Sequence, residues 1–163
     1  MLFAPPPDLP PPVDPAPAVI EQCVAQASRY YNVHPLIVYS IIDVEGGKVG
    51  TISENTDGSY DLGIMQINTI HLPDIQRQFG LSWEHVAYHP CINIGIGTWI
   101  LHQRIKEAGD LWKGVGNYHS KTPSKHRIYM AKFQKAYKRR YDAFLRWWVS
   151  RGGKRSDVKG LPQ

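Results

Sequence analysis

The stretch that decides the fold runs from residue 34 to residue 68 and reads HPLIVYSIIDVEGGKVGTISENTDGSYDLGIMQIN. Pro35 has a preset φ and no N–H to donate, so it suits the first position of a helix. Almost every residue from Leu36 to Val44 is apolar, which predicts a helix that is buried nearly all round. Gly46 and Gly47 predict its end, because glycine readily adopts the left-handed conformation that closes a helix.

Glu45 lies at the far end of this helix, where two effects raise the pKa of a carboxyl group. Burial disfavours the charged form, and the C-terminal end of a helix carries a partial negative charge that also disfavours an anion. A glutamic acid that keeps its proton near neutral pH is suited to general acid catalysis. From the spacing alone a second interpretation stays open, in which Glu45 is a structural acid paired with a lysine or an arginine.

A polar turn and a short alternating run follow the helix. Residues 55–58 read Asn-Thr-Asp-Gly, which is a strong turn signal. Tyr60 and Leu62 flank Asp61 in an alternating pattern, and this predicts a small β-hairpin. The compact segment Gly63-Ile-Met-Gln-Ile-Asn68 comes next. Its glycine permits a close approach between backbone and ligand.

The rest of the chain predicts further helices. Helical spacing of apolar residues supports one from Val19 to Tyr31 and another from Cys91 to Ala108. Asp110 is placed to cap a helix from Leu111 towards Tyr118. The last helix is long, from Pro123 to about Val149, and its apolar residues recur every seven positions.

Four motifs resemble those of the lytic transglycosylase family, the SLT or lysozyme-like enzymes. They are Ile42-Asp-Val-Glu45, Asp61-Leu-Gly-Ile-Met-Gln-Ile-Asn68, Pro90-Cys-Ile-Asn-Ile94 and Tyr118-His-Ser120, in that order. The match covers about residues 21–140 and is most similar to the VirB1-like enzymes of type IV and type III secretion and conjugation systems. The resemblance implies a mainly α (α+β) lysozyme-like fold. In that fold a helical domain carries a small β-hairpin lobe beside the catalytic cleft and ends in a long C-terminal helix.

The resemblance also implies an activity and a set of site residues. Glu45 would be the single catalytic acid of a peptidoglycan lytic transglycosylase. Such an enzyme cleaves the β-1,4 bond between N-acetylmuramic acid and N-acetylglucosamine and leaves a 1,6-anhydro end. The residues implied to line the cleft and contact the sugar are Tyr60, Gly63, Met65, Gln66, Asn68 and Tyr118. Tyr118 resembles the family tyrosine whose hydroxyl reaches the glutamate, and for both Met65 and Tyr118 the alternative is packing in the core.

Other functions stay open on the same residues. If Asp61 or Asp57 held a water on the far face of the sugar, it would be a second carboxylate and the enzyme would be a lysozyme-type hydrolase. The family usually has a serine after the glutamate, whereas this chain has Gly46. That departure fits a catalytically weak, peptidoglycan-binding structural component. No recognised nucleic-acid motif accompanies the basic residues, so we expect no nucleic-acid partner.

The composition suits one domain with tails. Of the 163 residues, 42% are hydrophobic, which supports a core, and no run approaches the roughly 18 apolar residues of a membrane span. The net charge of +5 and the pI of about 9.2 favour an anionic partner. Cell-wall polymers, nucleic acids and membrane surfaces all qualify. His85 and His89 stand four residues apart, but the zincin pattern is absent, and we expect neither a metal site nor a cofactor.

Cys23 and Cys91 are the two cysteines of the chain. From spacing alone they are either free buried thiols or a bonded pair. The resemblance favours a disulfide, because secretion-associated members carry one cysteine before the catalytic helix and one in the Pro-Cys-x-Asn-Ile motif. A disulfide requires an oxidising compartment, so we expect a periplasmic protein. The sequence has neither a basic n-region nor an apolar h-region, and we expect a leader that has been removed.

Three regions are predicted along the chain. Residues 1–18 hold eight of the thirteen prolines and form a flexible arm, which is either a plain tether or a docking segment for a secretion-machine partner. Residues 19–140 form the transglycosylase domain. Residues 141–163 extend the last helix into a basic tail, where Trp147 and Trp148 contact a membrane surface or a partner, or else pack on the domain. We expect the chain to act as a monomer.

Overall fold

A computed structural model describes residues 3–158 of the chain. Its helices are α1 (Pro17–Tyr31), α2 (Pro35–Glu45), α3 (Leu72–Phe79), α4 (Trp83–Tyr88), α5 (Pro90–Ala108), α6 (Leu111–His119) and α7 (Pro123–Ser150). Its strands are β1 (Ile52–Glu54), β2 (Tyr60–Leu62) and β3 (Ile67–Asn68). The predicted class, mainly α with a small β lobe, is confirmed. None of the helices within the described range is both long and apolar enough to cross a bilayer.

Helix α2 begins and ends where the sequence predicts. Pro35 is its first residue, and the ring nitrogen of His34 accepts a hydrogen bond from the N–H of Leu36 at 3.2 Å. Gly46 closes the helix with a φ of 66°, in the left-handed region. Three of its apolar side chains have no exposed surface: Ile37, Val38 and Ile41. The helix therefore passes through the hydrophobic core and carries Glu45 to the core's edge.

The β lobe is a three-stranded antiparallel sheet in the order β1-β2-β3. The turn at residues 55–58 joins β1 and β2, as the sequence predicts. Strand β3 is not predicted by the sequence pattern, and it pairs Ile67 with Leu62 and Asn68 with Asp61. A strand of two residues is too short to produce an alternating pattern, so only its pairing with β2 reveals it.

Helices α1 and α5 pack side by side. Cys23 on α1 and Cys91 at the start of α5 form a disulfide, so the bonded alternative is confirmed. Farther along both helices, the ring centres of Tyr31 and His102 are 5.9 Å apart. The two helices therefore run in the same direction. Helix α1 begins at Pro17, two residues before the predicted start, because proline suits the first turn.

Helix α7 lies antiparallel to α2. Near the end of α2, the Asp43 carboxylate accepts two hydrogen bonds of 2.7 Å from the Arg140 guanidinium. Near the start of α2, Leu36 lines a groove together with Phe144 and Trp148. The paired bonds between guanidinium and carboxylate favour one register of the two helices, since both groups are planar.

The two tryptophans of the C-terminal extension have different surroundings. Trp148 packs within the protein, and its indole N–H donates to the Lys154 carbonyl at 3.1 Å. Trp147 is 49% exposed, and the Arg151 guanidinium lies 5.0 Å from its ring centre. The predicted basic tail continues to residue 163, but residues 159–163 lie outside the described range.

The proline-rich arm contacts the domain near both of its ends. The ring of Phe3 packs against Tyr60 and Trp83, and Val13 forms an isolated antiparallel bridge with Val49. The high proline content predicts a flexible arm. The arm also carries Phe3 and Val13, and these two residues make the contacts with the domain. Residues 1 and 2 of the predicted arm lie outside the described range.

Candidate active site

A cleft of about 370 Å³ lies between the β lobe, the end of α2, the end of α6 and the start of α7. Glu45, the last residue of α2, is on its wall. The other lining residues are mostly polar: Asn55, Thr56, Asp57, Ser59, Asp61, Gln66, Ile67, Asn68, His71, Ile100, Tyr118, His119, Ser120 and Lys125. A wall with so many hydrogen-bonding groups suits a ligand rich in hydroxyl and amide groups. A larger cavity of about 880 Å³ opens between α1, α5 and the start of α2, but none of the predicted site residues lines it.

Glu45 has a raised pKa, as its position predicts. The pKa of Glu45 is raised from 4.5 to about 7, and burial is the largest cause. The hydroxyl of Tyr129 opposes this increase because it favours the carboxylate, the charge of Asp61 adds to it, and the charge of Lys132 opposes it. No lysine or arginine of the described residues forms an ion pair with Glu45. The interpretation as a structural ion pair therefore loses its support.

Tyr129 on α7 is a neighbour of Glu45 that the sequence motifs do not indicate. Its side chain is 3% exposed, and its hydroxyl has no hydrogen-bond partner of ordinary geometry among the described residues. It nevertheless lies close enough to lower the pKa of Glu45, and burial raises its own pKa. The signal for it was present in the sequence, because Tyr129, Phe133 and Ala136 recur at helical spacing on one buried face of α7.

Tyr118 lines the cleft, but its hydroxyl does not bond to Glu45. The hydroxyl donates instead to the backbone carbonyl of Met65 at 2.8 Å. Burial raises the pKa of Tyr118, and the charges of Glu45 and Asp61 raise it further, so the three groups share one electrostatic environment. The expected contact with the glutamate is therefore replaced by a bond that holds the loop after β2.

Gly63 and Met65 lie in the core rather than on the cleft, which corrects the expectation for both. Gly63 has a φ of 68°, and a Cβ atom there would come within 2.2 Å of the Asn93 amide nitrogen. Met65 is fully buried, and its sulfur fills the space beside Gly97. The Asn93 side chain accepts from the Met65 N–H at 2.8 Å and donates to the Leu62 carbonyl at 2.9 Å. The motif around Asn93 thus holds this loop on the helical body.

Gln66 and Asn68 do reach the cleft. Gln66 adopts a left-handed φ of 51°, and its amide donates to the Gly63 carbonyl at 2.9 Å. The Asn68 amide donates to Asp61 and to Ser59, both at 2.9 Å. Tyr60 is not among the cleft-lining residues, because alternate residues of a strand point to opposite faces and Asp61 takes the cleft side. The Tyr60 ring faces the arm instead.

Asp57 and Asp61, the two candidate second carboxylates, both line the cleft. Asp57 is exposed and accepts hydrogen bonds from the N–H and the hydroxyl of Ser59, at 2.9 and 2.6 Å, and these bonds lower the pKa of Asp57. Asp61 is the one whose charge acts on Glu45. Of the two, Asp61 is therefore the better placed to take part in the chemistry.

The backbone conformation at residue 46 explains why a glycine stands where the family usually has a serine. Its φ of 66° is in the region that side chains rarely adopt, and its N–H donates to the Ile42 carbonyl to close α2. Apart from its own chain neighbours, no atom of residues 3–158 lies within 4 Å of the position where a Cβ would be. Space for a side chain thus exists beside Glu45, and the glycine serves the turn that ends the helix.

Two basic side chains, one at the end of α6 and one at the start of α7, complete the cleft, and the sequence pattern assigns neither of them a role. The ring of His119 stacks on that of Tyr129, with centres 4.8 Å apart. Burial lowers the pKa of His119, which favours its neutral form. Lys125 lines the wall near the first turn of α7 and supplies a positive charge. His119 belongs to the Tyr118-His-Ser120 motif, but the motif alone does not indicate that its ring stacks on Tyr129.

Comparisons with known proteins place the sequence beside one family and several relatives. The family model described as the transglycosylase SLT domain matches residues 22–141. The invasion protein IagB of Salmonella typhimurium (strain LT2) is 36% identical over 104 residues, which cover 63% of this chain and 64% of that protein. Protein IpgF of Shigella flexneri is 31% identical over 120 residues, covering 73% of this chain and 78% of IpgF. A peptidoglycan-binding-like protein of Escherichia coli O157:H7 is 31% identical over 105 residues, covering 60% and 63%. The aligned part thus spans less than two thirds of IagB.

Proposed function

This chain belongs to the transglycosylase SLT domain family, and from that premise we propose that it is a peptidoglycan lytic transglycosylase. Its substrate is the glycan strand, and it cleaves the β-1,4 bond between N-acetylmuramic acid and N-acetylglucosamine. The observation that carries the proposal is Glu45, a partly buried acid in a polar cleft, with its pKa raised to about 7. Such a group both gives and takes a proton near neutral pH.

The proposed reaction uses Glu45 twice. In the first step the protonated carboxyl donates its proton to the glycosidic oxygen, and the bond from that oxygen to C1 of N-acetylmuramic acid breaks through an oxocarbenium-like transition state. In the second step the Glu45 carboxylate takes the proton of the C6 hydroxyl, and the C6 oxygen bonds to C1. The products are a strand with a free hydroxyl and a 1,6-anhydro end. No water is consumed, and Glu45 ends protonated as it began.

A hydrolase on the same fold is the second candidate, and the position of Asp61 favours it. The Asp61 carboxylate lines the cleft and acts on the pKa of Glu45. In glycosidases with two carboxylates, the second one activates a water or attacks C1. Asp61 also accepts a hydrogen bond from Asn68 at 2.9 Å, which supports a positioning role for its charge. A weak wall-binding component, the remaining alternative, has only Gly46 in its favour.

We propose that the enzyme works as a monomer in the periplasm, where it opens the wall for a secretion or conjugation apparatus. The Cys23–Cys91 disulfide supports that location, because disulfides persist in oxidising compartments. The apparatus is proposed from the motif resemblance, and the naming of one relative as an invasion protein is compatible with it. Contact with the apparatus is proposed through the C-terminal extension, where Trp147 is exposed beside Arg151. The arm is the second candidate contact surface.

Mass spectrometry of the sugars released from purified sacculi tests the proposed activity. The wild type is compared with Glu45→Gln, which keeps the shape of the side chain and removes its proton. Glu84→Gln, at an exposed glutamate of α4, is the matched control. Anhydro ends from the wild type and from Glu84→Gln, with a loss of at least about a hundredfold in Glu45→Gln, support the proposal. Reducing ends would make the protein a hydrolase, and full activity of Glu45→Gln would overturn the assignment of the acid.

A further inference from the structure

The described part of the arm that precedes α1 comprises residues 3–16. It joins two parts of the protein through the side chain of Phe3. Its ring centre lies 5.6 Å from that of Tyr60 in an edge-on arrangement and 5.2 Å from that of Trp83. Tyr60 belongs to β2 of the lobe. Trp83 belongs to α4, which packs against α5 in the helical body. The Phe3 ring therefore bridges the lobe and the body.

A second contact lies at the other end of the arm. The N–H of Val13 donates to the Val49 carbonyl at 2.9 Å, and the N–H of Val49 donates back to the Val13 carbonyl at 3.0 Å. Asp14 and Lys48 form an ion pair of 3.2 Å beside this bridge. Both side chains of that ion pair are largely exposed, so the pair contributes little stability. The two backbone hydrogen bonds between Val13 and Val49 therefore hold this end of the arm. The bridge fixes the segment between α2 and β1.

These two contacts lie next to the residues that form the cleft. Tyr60 directly precedes Asp61, whose charge acts on Glu45. The Val49 segment follows Glu45 along the chain and leads into β1. The arm therefore touches the lobe at its middle strand and at its entry point. Among the described residues, no part of the arm lines the cleft itself.

We propose that the arm positions the active site, because Phe3 and Val13 hold the β lobe against the helical body and so keep Asp61 and Asn68 opposite Glu45. The kinetic part of this proposal rests on the proposed function, whereas the structural part does not. Phe3 and Val13 are positioning residues and touch no substrate. In this proposal the proline-rich arm is a structural part of the catalytic domain and does more than tether it.

The physical chemistry of the lobe and of the arm supports this role. A sheet with strands of three, three and two residues is too small to be stable alone and depends on packing against other elements. Ordering a chain segment costs conformational entropy, but proline has little backbone freedom to lose, since its φ is fixed. An arm rich in proline therefore holds the small lobe in place with a smaller loss of conformational entropy than an arm of other residues.

Hydrogen exchange on two variants of the arm tests the structural part. Phe3→Ala removes the bridging ring, and Val13→Pro removes the N–H that donates to Val49. Pro11→Ala, at an exposed arm residue, is the control. The reporters are the amides of Asn55 and Gly63, which donate to carbonyls within the lobe at 2.8 Å. We expect these amides to exchange roughly tenfold faster in both variants, with the amides of α5 unchanged.

Turnover of glycan strands by the same variants tests the kinetic part. We expect kcat to fall about tenfold in Phe3→Ala and Val13→Pro, more than KM rises, because a misplaced wall weakens the arrangement around Glu45. Unchanged exchange in the lobe would overturn the proposal, and so would faster exchange spread equally over α5, which would indicate general destabilisation. If the wild type proves inactive on glycan, the proposed function fails and the exchange data still decide the role of the arm.

Discussion

The pKa of Glu45 depends in part on residues that lie elsewhere in the sequence. Asp61 comes from the lobe and Tyr129 from α7, and they act on the pKa of Glu45 in opposite directions. The end of α2 supplies the position, and burial supplies most of the increase in pKa. Variants of the two neighbours therefore test the assignment without altering the acid itself.

The alkaline limb of the pH–activity profile should move in opposite directions in two variants. Activity falls as the pH rises through about 7, because Glu45 then loses the proton it must donate. Tyr129→Phe removes a hydroxyl that lowers the pKa of Glu45, so the limb should move to higher pH. Asp61→Asn removes a charge that raises this pKa, so the limb should move to lower pH. Initial rates on glycan strands between pH 5 and pH 9 measure both shifts.

Loss of turnover in Asp61→Asn at every pH would contradict this electrostatic role and favour the hydrolase. A limb that moves in the same direction in both variants would show that packing changes, and not charge, control the profile. The wild type and Glu84→Gln, measured in the same buffers, define the unshifted limb.

Glu45→Gln should gain stability relative to the wild type as the pH rises. The folded pKa of about 7 exceeds the ordinary value of 4.5, so the folded state holds a proton that the unfolded state releases between these pH values. Wild-type stability from this group is therefore greatest below about pH 4.5 and is lost as the pH rises through 7. The full loss is about 3 kcal/mol, and glutamine escapes it. Urea unfolding at pH 5 and pH 8 measures the difference in unfolding free energy between Glu45→Gln and the wild type. This difference would be the same at both pH values if Glu45 were not buried.

At the scale of elements, the loop between β2 and β3 is held by Asn93 from α5. The asparagine amide donates to the carbonyls of Leu62 and Val86 and accepts from the Met65 N–H, with all three bonds between 2.8 and 2.9 Å. Such a fully bonded, buried side chain fits only where Gly63 leaves room for it. The lobe and α5 therefore depend on a glycine and an asparagine that come from different motifs.

Gly63→Ala should destabilise the protein more than Gly58→Ala. Both glycines have positive φ, 68° and 82°, so alanine costs about 1–2 kcal/mol of backbone strain at either position. A Cβ at residue 58 meets no atom of the described residues within 4 Å beyond its chain neighbours, whereas one at residue 63 would clash with Asn93. We expect a total loss of about 3 kcal/mol or more for Gly63→Ala. Chemical denaturation of both variants measures it, and equal losses would show that Asn93 moves aside freely.

At the scale of the whole molecule, the disulfide joins segments that are 68 residues apart. The closed loop contains α2, the whole β lobe and the cleft-lining residues from Glu45 to His71. Cross-linking a loop of this length stabilises the fold by about 4 kcal/mol in the chain-entropy model, because it restricts the unfolded chain. Neither cysteine lines the cleft. The bond should therefore affect stability much more than chemistry.

Cys23→Ser/Cys91→Ser should lower the melting temperature by about 10 °C and leave the kcat at 20 °C within about twofold. Calorimetry and glycan turnover measure the two effects. Reductant should bring the wild type to the same melting temperature and should not alter the double variant. A melting temperature unchanged by both treatments would contradict a stabilising role for the bond.

Much of the fold and part of the site could be predicted from the sequence. The ends of α2, the turn at residues 55–58 and the place of Glu45 follow from neighbouring residues, because proline, glycine and runs of apolar side chains set the local backbone. The motif from Asp61 to Asn68 also identified the segment that forms one wall of the cleft. Within it, Gln66 and Asn68 line the cleft as expected, whereas Gly63 and Met65 do not.

The sequence by itself thus determined the helix that carries the acid, the class of the fold and the family. Only the tertiary structure decided that Met65 packs beside Gly97, that Tyr118 bonds to a backbone carbonyl, that Tyr129 lies near Glu45 and that Phe3 bridges the lobe and α4. The physical reason is the same in each case. Local preferences are fixed by adjacent residues, whereas burial, hydrogen-bond partners and pKa depend on atoms that the folded chain brings together from distant positions.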